Sequence, residues 1–387
     1  MKYLFTITFL LFSTYLLGQE VEKTIILKDE TSNLPIEDAS VLVLKSKQLN
    51  LSNTEGKVSF VIKGISTIQI THTSYISQTI RSTSLKEKET VIYLKSNFNK
   101  LDEIILTKQH PQKILATLIE NSSKKLTIPA RLKVYAREFF KLNGAYSNYN
   151  DGLMNFQLSG KPNDFKTTIL VEQNRSFGLV DESINDELVG YNLNNIMQNY
   201  YNFKYLNPLL EPRAKKEFDF LIKAHPVNED YYVMTAIPTD NSAAMLDDYA
   251  IVYDRKRKII IEVSAAISPT SIAKAKDSNG KNGKTIYKSF FKTMYRFDSN
   301  YYYLISSKEE IGYEKIFKKK TTDIEVRNYF VTTNFSNQNY SFKESEVFKD
   351  KTLFNKKNTI LSNYWELSGL VATEEEEQII KQVQETD

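Results

Sequence analysis

The feature that most constrains this chain is a succession of short segments in which apolar and polar residues alternate, separated by turn-forming residues. Alternation with a period of two is typical of a strand with one buried face, because successive side chains point to opposite faces of a sheet. Within residues 20–98 these segments are 24–27, 40–44, 57–62, 67–71 and 90–94. Their spacing predicts a seven-strand-type β-sandwich. Gly56, at the end of a turn, is expected to supply a positive φ.

Strand patterns also dominate the chain from residue 131 to residue 335, with two hairpins expected around the turns 254–258 and 298–300. The 24 Tyr and 22 Phe residues add to this tendency, because flat rings pack well on a pleated surface. We therefore predict a mainly β protein whose second domain, 111–387, is α+β. Its sheet is expected to be a curved antiparallel sheet or half-barrel of about ten strands, since curling limits exposed edges. Residues 99–110 are interpreted as a linker.

Helical spacing of apolar residues interrupts the strands near 111–126, 192–203 and 373–384. The first helix is expected to begin at Pro111, a position that the first turn tolerates. The last is expected to begin with a capping box formed by Thr373 and Glu376. We interpret the acidic run 374–377 as helix initiation, because carboxylates are favourable at the positive end of the helix dipole.

The N-terminus has the order of a secretory signal. Lys2 precedes an uncharged, largely apolar run over residues 3–17, and the small residue Gly18 comes directly after it. A membrane-spanning helix needs ~20 apolar residues, so this run predicts a cleavable signal peptide over 1–19. The mature chain is then expected to lack a transmembrane span. It would be periplasmic or outer-membrane-associated in a Gram-negative bacterium, or secreted.

Composition excludes several classes of function. The chain has no cysteine, which excludes disulfides, thiolate metal sites and the lipid-carrying cysteine of a lipoprotein. Its 51 basic and 47 acidic residues nearly balance, whereas nucleic-acid binders usually show a strong basic excess. The three histidines, at 72, 110 and 225, lack metal-ligand spacing. We therefore name no catalytic, cofactor-binding or metal-binding residue, and expect no cofactor and no nucleic-acid partner.

Two groups of residues are candidates for chemistry. The adjacent carboxylates Asp247–Asp248 and Glu309–Glu310 should point to opposite faces of a strand, which makes each pair a poor match to two acids held ~5–10 Å apart across a cleft. An aromatic group could line a groove for a lipid tail or a sugar, although filling the sheet core is the favoured interpretation. That group comprises Tyr287, Phe291, Tyr295, Phe297, Tyr301, Tyr302 and Tyr303.

The first third of the chain resembles the carboxypeptidase regulatory-like domain. The resemblance is carried by residue 29, the segment 35–41, the turn-and-strand segment 53–60 and the strand 68–75. This domain is a transthyretin-like sandwich common at the start of Gram-negative envelope proteins. Asn53 stands where the family usually has Asp, and Ser74 where it usually has Gly. The resemblance implies an accessory module without peptidase activity, since the metal site of carboxypeptidases lies in a separate domain.

Two further likenesses concern the linker and the second domain. Residues 101–106 are similar to the segment after the same sandwich in TonB-dependent outer-membrane receptors. The order of helix, strands and hairpins in the second domain is similar to the half-barrels of periplasmic lipoprotein carriers, which hold an acyl chain in an apolar concavity. This second likeness concerns architecture and has no motif behind it.

These patterns support three functional hypotheses. The first is an exported, non-enzymatic envelope protein that binds a hydrophobic or extended ligand or a partner protein. The expected binding partner is an outer-membrane or envelope protein, or a lipid. The second is a periplasmic lipid or lipoprotein carrier, which predicts a continuous apolar concavity within residues 130–335. The third is a carboxylate-dependent hydrolase of glycan or peptide, which predicts two convergent acids in a cleft.

Overall fold

The computed structural model describes residues 20–96, 103–178, 192–240, 246–272, 284–317, 320–354, 356–361, 367 and 369–386. The chain divides into two compact units, and each is described by itself. The first comprises residues 1–97 with 362–373, and the second comprises 98–361 with 374–387. The predicted signal peptide, 1–19, lies outside the described residues, as do positions 99–102 of the predicted linker.

The first unit is a β-sandwich of seven strands, as the sequence predicts. The strands are β1 (Glu20–Asp29), β2 (Ser40–Val43), β3 (Gln48–Leu51), β4 (Lys57–Lys63), β5 (Thr67–His72), β6 (Tyr75–Arg81) and β7 (Glu89–Leu94). One sheet has the order β4-β1-β7 and the other the order β3-β2-β5-β6. The strands β1 and β7 are parallel, and the other pairs are antiparallel. The alternating apolar residues of both sheets, among them Ile25, Val41 and Phe60, form one buried core.

Two local features complete this unit. Gly56 has a φ of +72°, and a Cβ added there would lie 2.3 Å from the carbonyl oxygen of Leu27. A glycine is therefore required on both conformational and steric grounds. Near the C-terminus, Leu370 forms a parallel bridge with Leu51 at the edge of β3, and the Leu51 amide donates to the Gly369 carbonyl at 2.7 Å. This short segment, expected within the second domain, lies on the sandwich.

The second unit contains a curved, unclosed antiparallel sheet of ten strands. They are β8 (Ala130–Leu142), β9 (Ala145–Lys161), β10 (Asp164–Phe177), β11 (Phe218–Ala224), β12 (Tyr231–Pro238), β13 (Asp247–Asp254), β14 (Ile259–Ile267), β15 (Lys284–Asp298), β16 (Tyr301–Phe317) and β17 (Lys320–Ser336). Their order is β10-β9-β8-β17-β16-β15-β14-β13-β12-β11. Both predicted hairpins are present as β13–β14 and β15–β16.

Helices occupy the remaining regular segments of this unit. They are α1 (Pro111–Lys125), α2 (Ile196–Tyr201), α3 (Asn207–Leu210), α4 (Ala214–Glu217) and α5 (Glu374–Thr386). Helix α1 packs on β14, where the Ser122 hydroxyl oxygen accepts the Ile260 amide at 2.9 Å. Among the helices that the structure describes, none has the length and apolar character needed to cross a membrane.

Both edges of the ten-stranded sheet are covered by extended segments. Beside β11, the Ile105 amide donates to the Ile222 carbonyl and the Ala224 amide donates to the Glu103 carbonyl, each at 2.9 Å. The end of the predicted linker thus serves as a short added strand. Beside β10, the Phe348 amide donates to the Ile169 carbonyl at 2.8 Å. Covering these edges removes unpaired backbone groups that would otherwise invite pairing with another chain.

Candidate functional site

A single line of side chains crosses the whole ten-stranded sheet on one face. Directly paired residues of neighbouring strands share a face, so the strand register defines this line. We call it the inner row and the face that carries it the inner face. In spatial order the inner row is Phe220, Ala236, Tyr249, Ala265, Phe291, Glu309, Asn328, Glu138, Asn150 and Ser176.

The inner row changes character halfway along. It is apolar from β11 to β15 and polar from β16 to β10, so the two halves create different environments on one face. The change falls between Phe291 and Glu309, which are paired across β15 and β16. A cavity lies at this boundary.

The cavity has a volume of about 570 Å³ and lies between the inner face and residues 192–210, which we call the roof segment. The sheet contributes Tyr249, Ala265, Phe291 and Glu309 of the inner row, together with Asp247 and Ser289. The roof segment contributes Asn192, Asn195, Ile196, Asn199, Tyr200, Lys204 and Tyr205. The lining is therefore mixed, with aromatic rings beside amides, a hydroxyl and charged groups.

Aromatic residues hold the roof segment on the sheet. The Tyr200 ring stacks on Phe291 with centroids 6.0 Å apart, and its hydroxyl is hydrogen-bonded to the Ser307 hydroxyl. The Tyr205 ring lies 4.7 Å from that of Phe291. The Tyr295 hydroxyl donates to the Tyr200 carbonyl at 2.8 Å. These contacts combine aromatic packing with satisfied buried hydroxyls, and they fix the cavity's upper wall.

The inner row contains two glutamates. Glu309 lines the cavity, and Glu138 lies two strands further along, across Asn328. Glu138 is 7% exposed; its Oε2 accepts from Asn150 Nδ2 at 3.1 Å, while its Oε1 has no hydrogen-bond partner among the described residues.

Burial raises the pKa of both carboxyl groups. The pKa of Glu138 rises to about 7, mainly through desolvation and further through the charge of Glu309, although the Asn150 hydrogen bond opposes the shift. Desolvation also raises the pKa of Glu309 to about 7. Both groups therefore titrate near neutral pH, because a buried carboxyl disfavours its charged form.

A second acid, Asp247, lines the same cavity. Desolvation raises the pKa of Asp247, and the neighbouring charge of Asp248 adds to the shift. Lys204, by contrast, is an exposed residue of the roof segment. The cavity thus contains two carboxyl groups and one ammonium group, and Glu138 is a third carboxyl of the same face, two strands from Glu309.

The adjacent carboxylates separate as the sequence predicts. Glu309 faces the cavity, whereas Glu310 faces the other side of the sheet and lies 2.8 Å from Lys288. Sequence reasoning missed the alignment of Glu309 with Glu138 along the inner row. The sequence of β8 does indicate that Glu138 is unusual. In its alternating pattern, Glu138 occupies a position of the apolar face, between Ala136 and Phe140.

The aromatic residues of 287–303, which the sequence suggests as a possible groove lining, lie in several different places in the structure. Phe291 lines the cavity, while Tyr295 and Tyr302 are buried in the core. Tyr303 stacks on Phe335 at 4.0 Å, and the Tyr287 hydroxyl donates to Asp323 at 2.5 Å. Filling and bracing the sheet is therefore the main role of this group, in line with the favoured interpretation.

Each of the three histidines accepts a hydrogen bond from a backbone amide two residues further along the chain. Nδ1 of His72 accepts the Ser74 amide, Nδ1 of His110 accepts the Gln112 amide at the start of α1, and Nδ1 of His225 accepts the Val227 amide. Burial lowers the pKa of His225. Within the part of the chain that the structure describes, no three His, Asp or Glu residues are grouped so that they could hold a metal ion.

No family model matches this sequence, and no curated protein matches it. Solved structures with a partial likeness include lipovitellin in a study of its lipid–protein interactions (11% identity, TM-score 0.26, 61% of this chain and 28% of the other). This chain thus spans less than a third of lipovitellin's length. Another is a LolA-superfamily protein of Nitrosomonas europaea, with 9% identity and a TM-score of 0.22, and the likeness covers 58% of this chain and 94% of the other.

A third is a protein of unknown function from Bacteroides fragilis, with 8% identity and a TM-score of 0.16, and the likeness covers 82% of this chain and 99% of the other. Likenesses at these TM-scores do not bear on function.

Proposed function

We propose that this protein is an exported envelope protein that binds a small amphipathic ligand without transforming it, in the cavity between the inner face and the roof segment. The observation that carries the proposal is the cavity, whose volume of about 570 Å³ lies within the ~300–1,000 Å³ typical of small-molecule sites. Export is supported by the signal-peptide pattern of residues 1–19.

The lining favours an amphipathic ligand over a plain acyl chain. Phe291 and Ile196 offer apolar contact, whereas Asn195, Asn199 and Ser289 offer hydrogen bonds. A wholly apolar ligand would leave these polar groups buried without partners, at a cost of about 1–3 kcal/mol each. The lining thus differs from the continuous apolar concavity that a lipoprotein carrier would need.

Binding is also favoured over hydrolysis by the placement of the acids. A glycosidase holds two carboxyl groups on opposite sides of the bond that it cleaves. Glu309 lines the cavity, whereas Glu138 lies on the same face of the sheet with β17 between them, and Asp247, the other acid of the lining, lies three strands away in that sheet. This arrangement supports recognition by one wall of the cavity.

For the first unit we propose an accessory role, as the resemblance to the carboxypeptidase regulatory-like domain implies. Its two sheets of three and four strands support that relationship. The ligand-binding role is assigned to the second unit.

The proposal is tested by native mass spectrometry with solvent extraction. The full chain is expressed in a Gram-negative host and recovered from the envelope fraction, and its mature N-terminus is sequenced. We expect a start near residue 20 and a bound small molecule in the wild type. Ala265→Phe should remove that molecule, because Ala265 lies between Tyr249 and Phe291 in the cavity wall.

Ala266→Phe is the matched control, since Ala266 is the next residue of β14 and faces the other side of the sheet. It should leave the bound molecule in place. The proposed function fails if Ala265→Phe retains the same molecule at wild-type occupancy. It also fails if the wild type carries no small molecule and envelope extracts do not raise its melting temperature.

A further inference from the structure

Carboxylates on the two faces of the large sheet differ in whether a lysine lies next to them. We call the side of the sheet opposite the inner row the outer face. There, Glu310 lies 2.8 Å from Lys288, Glu262 lies 3.5 Å from Lys292, and Glu325 lies 3.2 Å from Lys141. Each of these acids has a lysine on a neighbouring strand. Such cross-strand pairs are the ordinary way in which a sheet accommodates charge.

The acids of the inner face have no such partner. Among the residues that the structure describes, Glu138, Glu309 and Asp247 form no ion pair, although the last two line a cavity and the first is only 7% exposed. Oε1 of Glu138 also lacks a hydrogen-bond partner among them. Glu138 is buried and the other two acids are half-buried, and a buried carboxylate without a counter-charge is costly and is normally paired.

We propose that the ligand supplies the missing charge, and that the cavity recognises a protonated amine held by Glu309. This inference rests on the proposed function and adds the chemical class of the ligand. The cationic group would lie at the boundary of the inner row, where Glu309 lies beside Phe291.

The lining favours an organic cation over a bare metal ion. Phe291, Tyr200 and Tyr205 place aromatic rings around the same space, and an ammonium group is attracted to such ring faces. The described acids do not form a group of three that could enclose a metal. A volume of about 570 Å³ also fits an organic molecule with an apolar part.

Binding of a cation should be linked to proton release. The charged groups that line this space are Glu309, Asp247 and Lys204, and Tyr249 stays neutral because burial raises its pKa. Glu138 lies two strands from Glu309 on the same face. Burial raises the pKa of Glu309 to about 7, so at pH 6 most of this carboxyl is protonated. A bound ammonium favours the charged form, and amine affinity should therefore increase from pH 6 to pH 8.

The test uses three probes of similar shape: 4-phenylbutylamine, 4-phenylbutanol and 4-phenylbutyrate. Isothermal titration of the purified full chain, after solvent removal of any bound molecule, gives the three affinities. We expect the amine to bind about tenfold or more tighter than the alcohol at pH 8, and the carboxylate to bind most weakly. Amine binding should release protons near pH 7, seen as heats that differ between phosphate and Tris buffers.

Two isosteric variants separate the site from general charge effects. Glu309→Gln should reduce the preference for the amine to about twofold or less, whereas Glu310→Gln removes the same charge from the outer face and should leave it unchanged. Equal binding of the amine and the alcohol by the wild type, tightest binding of the carboxylate, or Mg²⁺ or Ca²⁺ binding that is lost in Glu309→Gln would each overturn the inference.

Failure of this inference is distinguishable from failure of the proposed function. If none of the three probes binds but Ala265→Phe still abolishes the co-purifying molecule, the cavity is a binding site and the amine assignment is wrong. If Ala265→Phe leaves every binding measurement at its wild-type value, the cavity itself is not the site.

Discussion

Nη1 of Arg137 lies 3.0 Å from Oε2 of Glu376, and both side chains are almost fully buried. This contact joins helix α5 to the outer face of the sheet, where Arg137 also donates through Nε to the Tyr135 hydroxyl at 3.0 Å. Arg327 lies 3.6 Å from the other oxygen of Glu376. One carboxylate therefore balances two guanidinium groups at the point where α5 meets the sheet.

Replacing Glu376 with Gln should destabilise the second unit strongly. The change would remove the buried carboxylate that faces Arg137, and breaking a buried ion pair from one side typically costs about 3–5 kcal/mol. Urea denaturation of the full chain measures this loss. Glu375→Gln, at the exposed neighbouring position of α5, should stay within about 0.5 kcal/mol of the wild type. Similar losses for both variants would show that general helix charge, and not the buried contact, is responsible.

Glu138 should make stability depend on pH in a definite direction. Its folded-state pKa is about 7, against an ordinary value of 4.5. The folded chain therefore holds a proton that the unfolded chain has lost, and the contribution of this group is fully present below pH 4.5 and is lost as pH rises through 7. At 1.36 kcal/mol per pKa unit, the loss is about 3 kcal/mol.

Glu138→Gln tests this dependence, because the amide is neutral at every pH and its oxygen can still accept from Asn150. The free energy of unfolding of the wild type should fall more between pH 5 and pH 8 than that of the variant. Glu375→Gln should behave like the wild type. A wild type and a Glu138→Gln variant with the same slope would contradict the buried-acid account.

Two glycines with positive φ offer a matched comparison of strain and crowding. Gly56 has a φ of +72° and Gly144 a φ of +83°, but a Cβ at Gly144 would meet no atom within 4 Å. Gly144→Ala should therefore cost only the conformational strain of about 1–2 kcal/mol. Gly56→Ala adds a contact of 2.3 Å with the Leu27 carbonyl oxygen, for roughly 1–3 kcal/mol more.

Differential scanning calorimetry of both variants checks this difference. The transition of the first unit should shift more for Gly56→Ala than the transition of the second unit shifts for Gly144→Ala. Equal shifts would mean that the turn at Gly56 relaxes away from Leu27 without cost.

Local sequence patterns predict much of this fold because strands and turns are coded locally. The alternation in 57–62 becomes β4, and Gly56 takes the expected positive φ. The ten antiparallel strands and their hairpins likewise arise from alternation and turn residues. The fold class is therefore confirmed, including the curved sheet of the second unit.

The candidate site could not be derived in the same way. Glu138, Asn328 and Glu309 meet because β17 lies between β8 and β16, and that order is set by packing over the whole sheet. The acidic run at 374–377 indicates only helix initiation when the sequence is considered alone. Burial of Glu376 against Arg137 and Arg327 depends on where α5 docks, which no local pattern contains.

The roof segment should depend on a buried contact from α1. Nε2 of Gln112 donates to the Leu209 carbonyl at 2.9 Å and to the Glu211 carbonyl at 2.8 Å, at the end of α3. Gln112→Ala removes both donors and leaves two terminal helix carbonyls without them, at a cost of about 1–3 kcal/mol. Because α3 is the last part of the roof segment, hydrogen exchange should accelerate over residues 196–210. Lys113→Ala, at an exposed position of α1, should leave that exchange unchanged. If Gln112→Ala also leaves it unchanged, the roof segment is held by its aromatic contacts with Phe291 and Tyr295 alone.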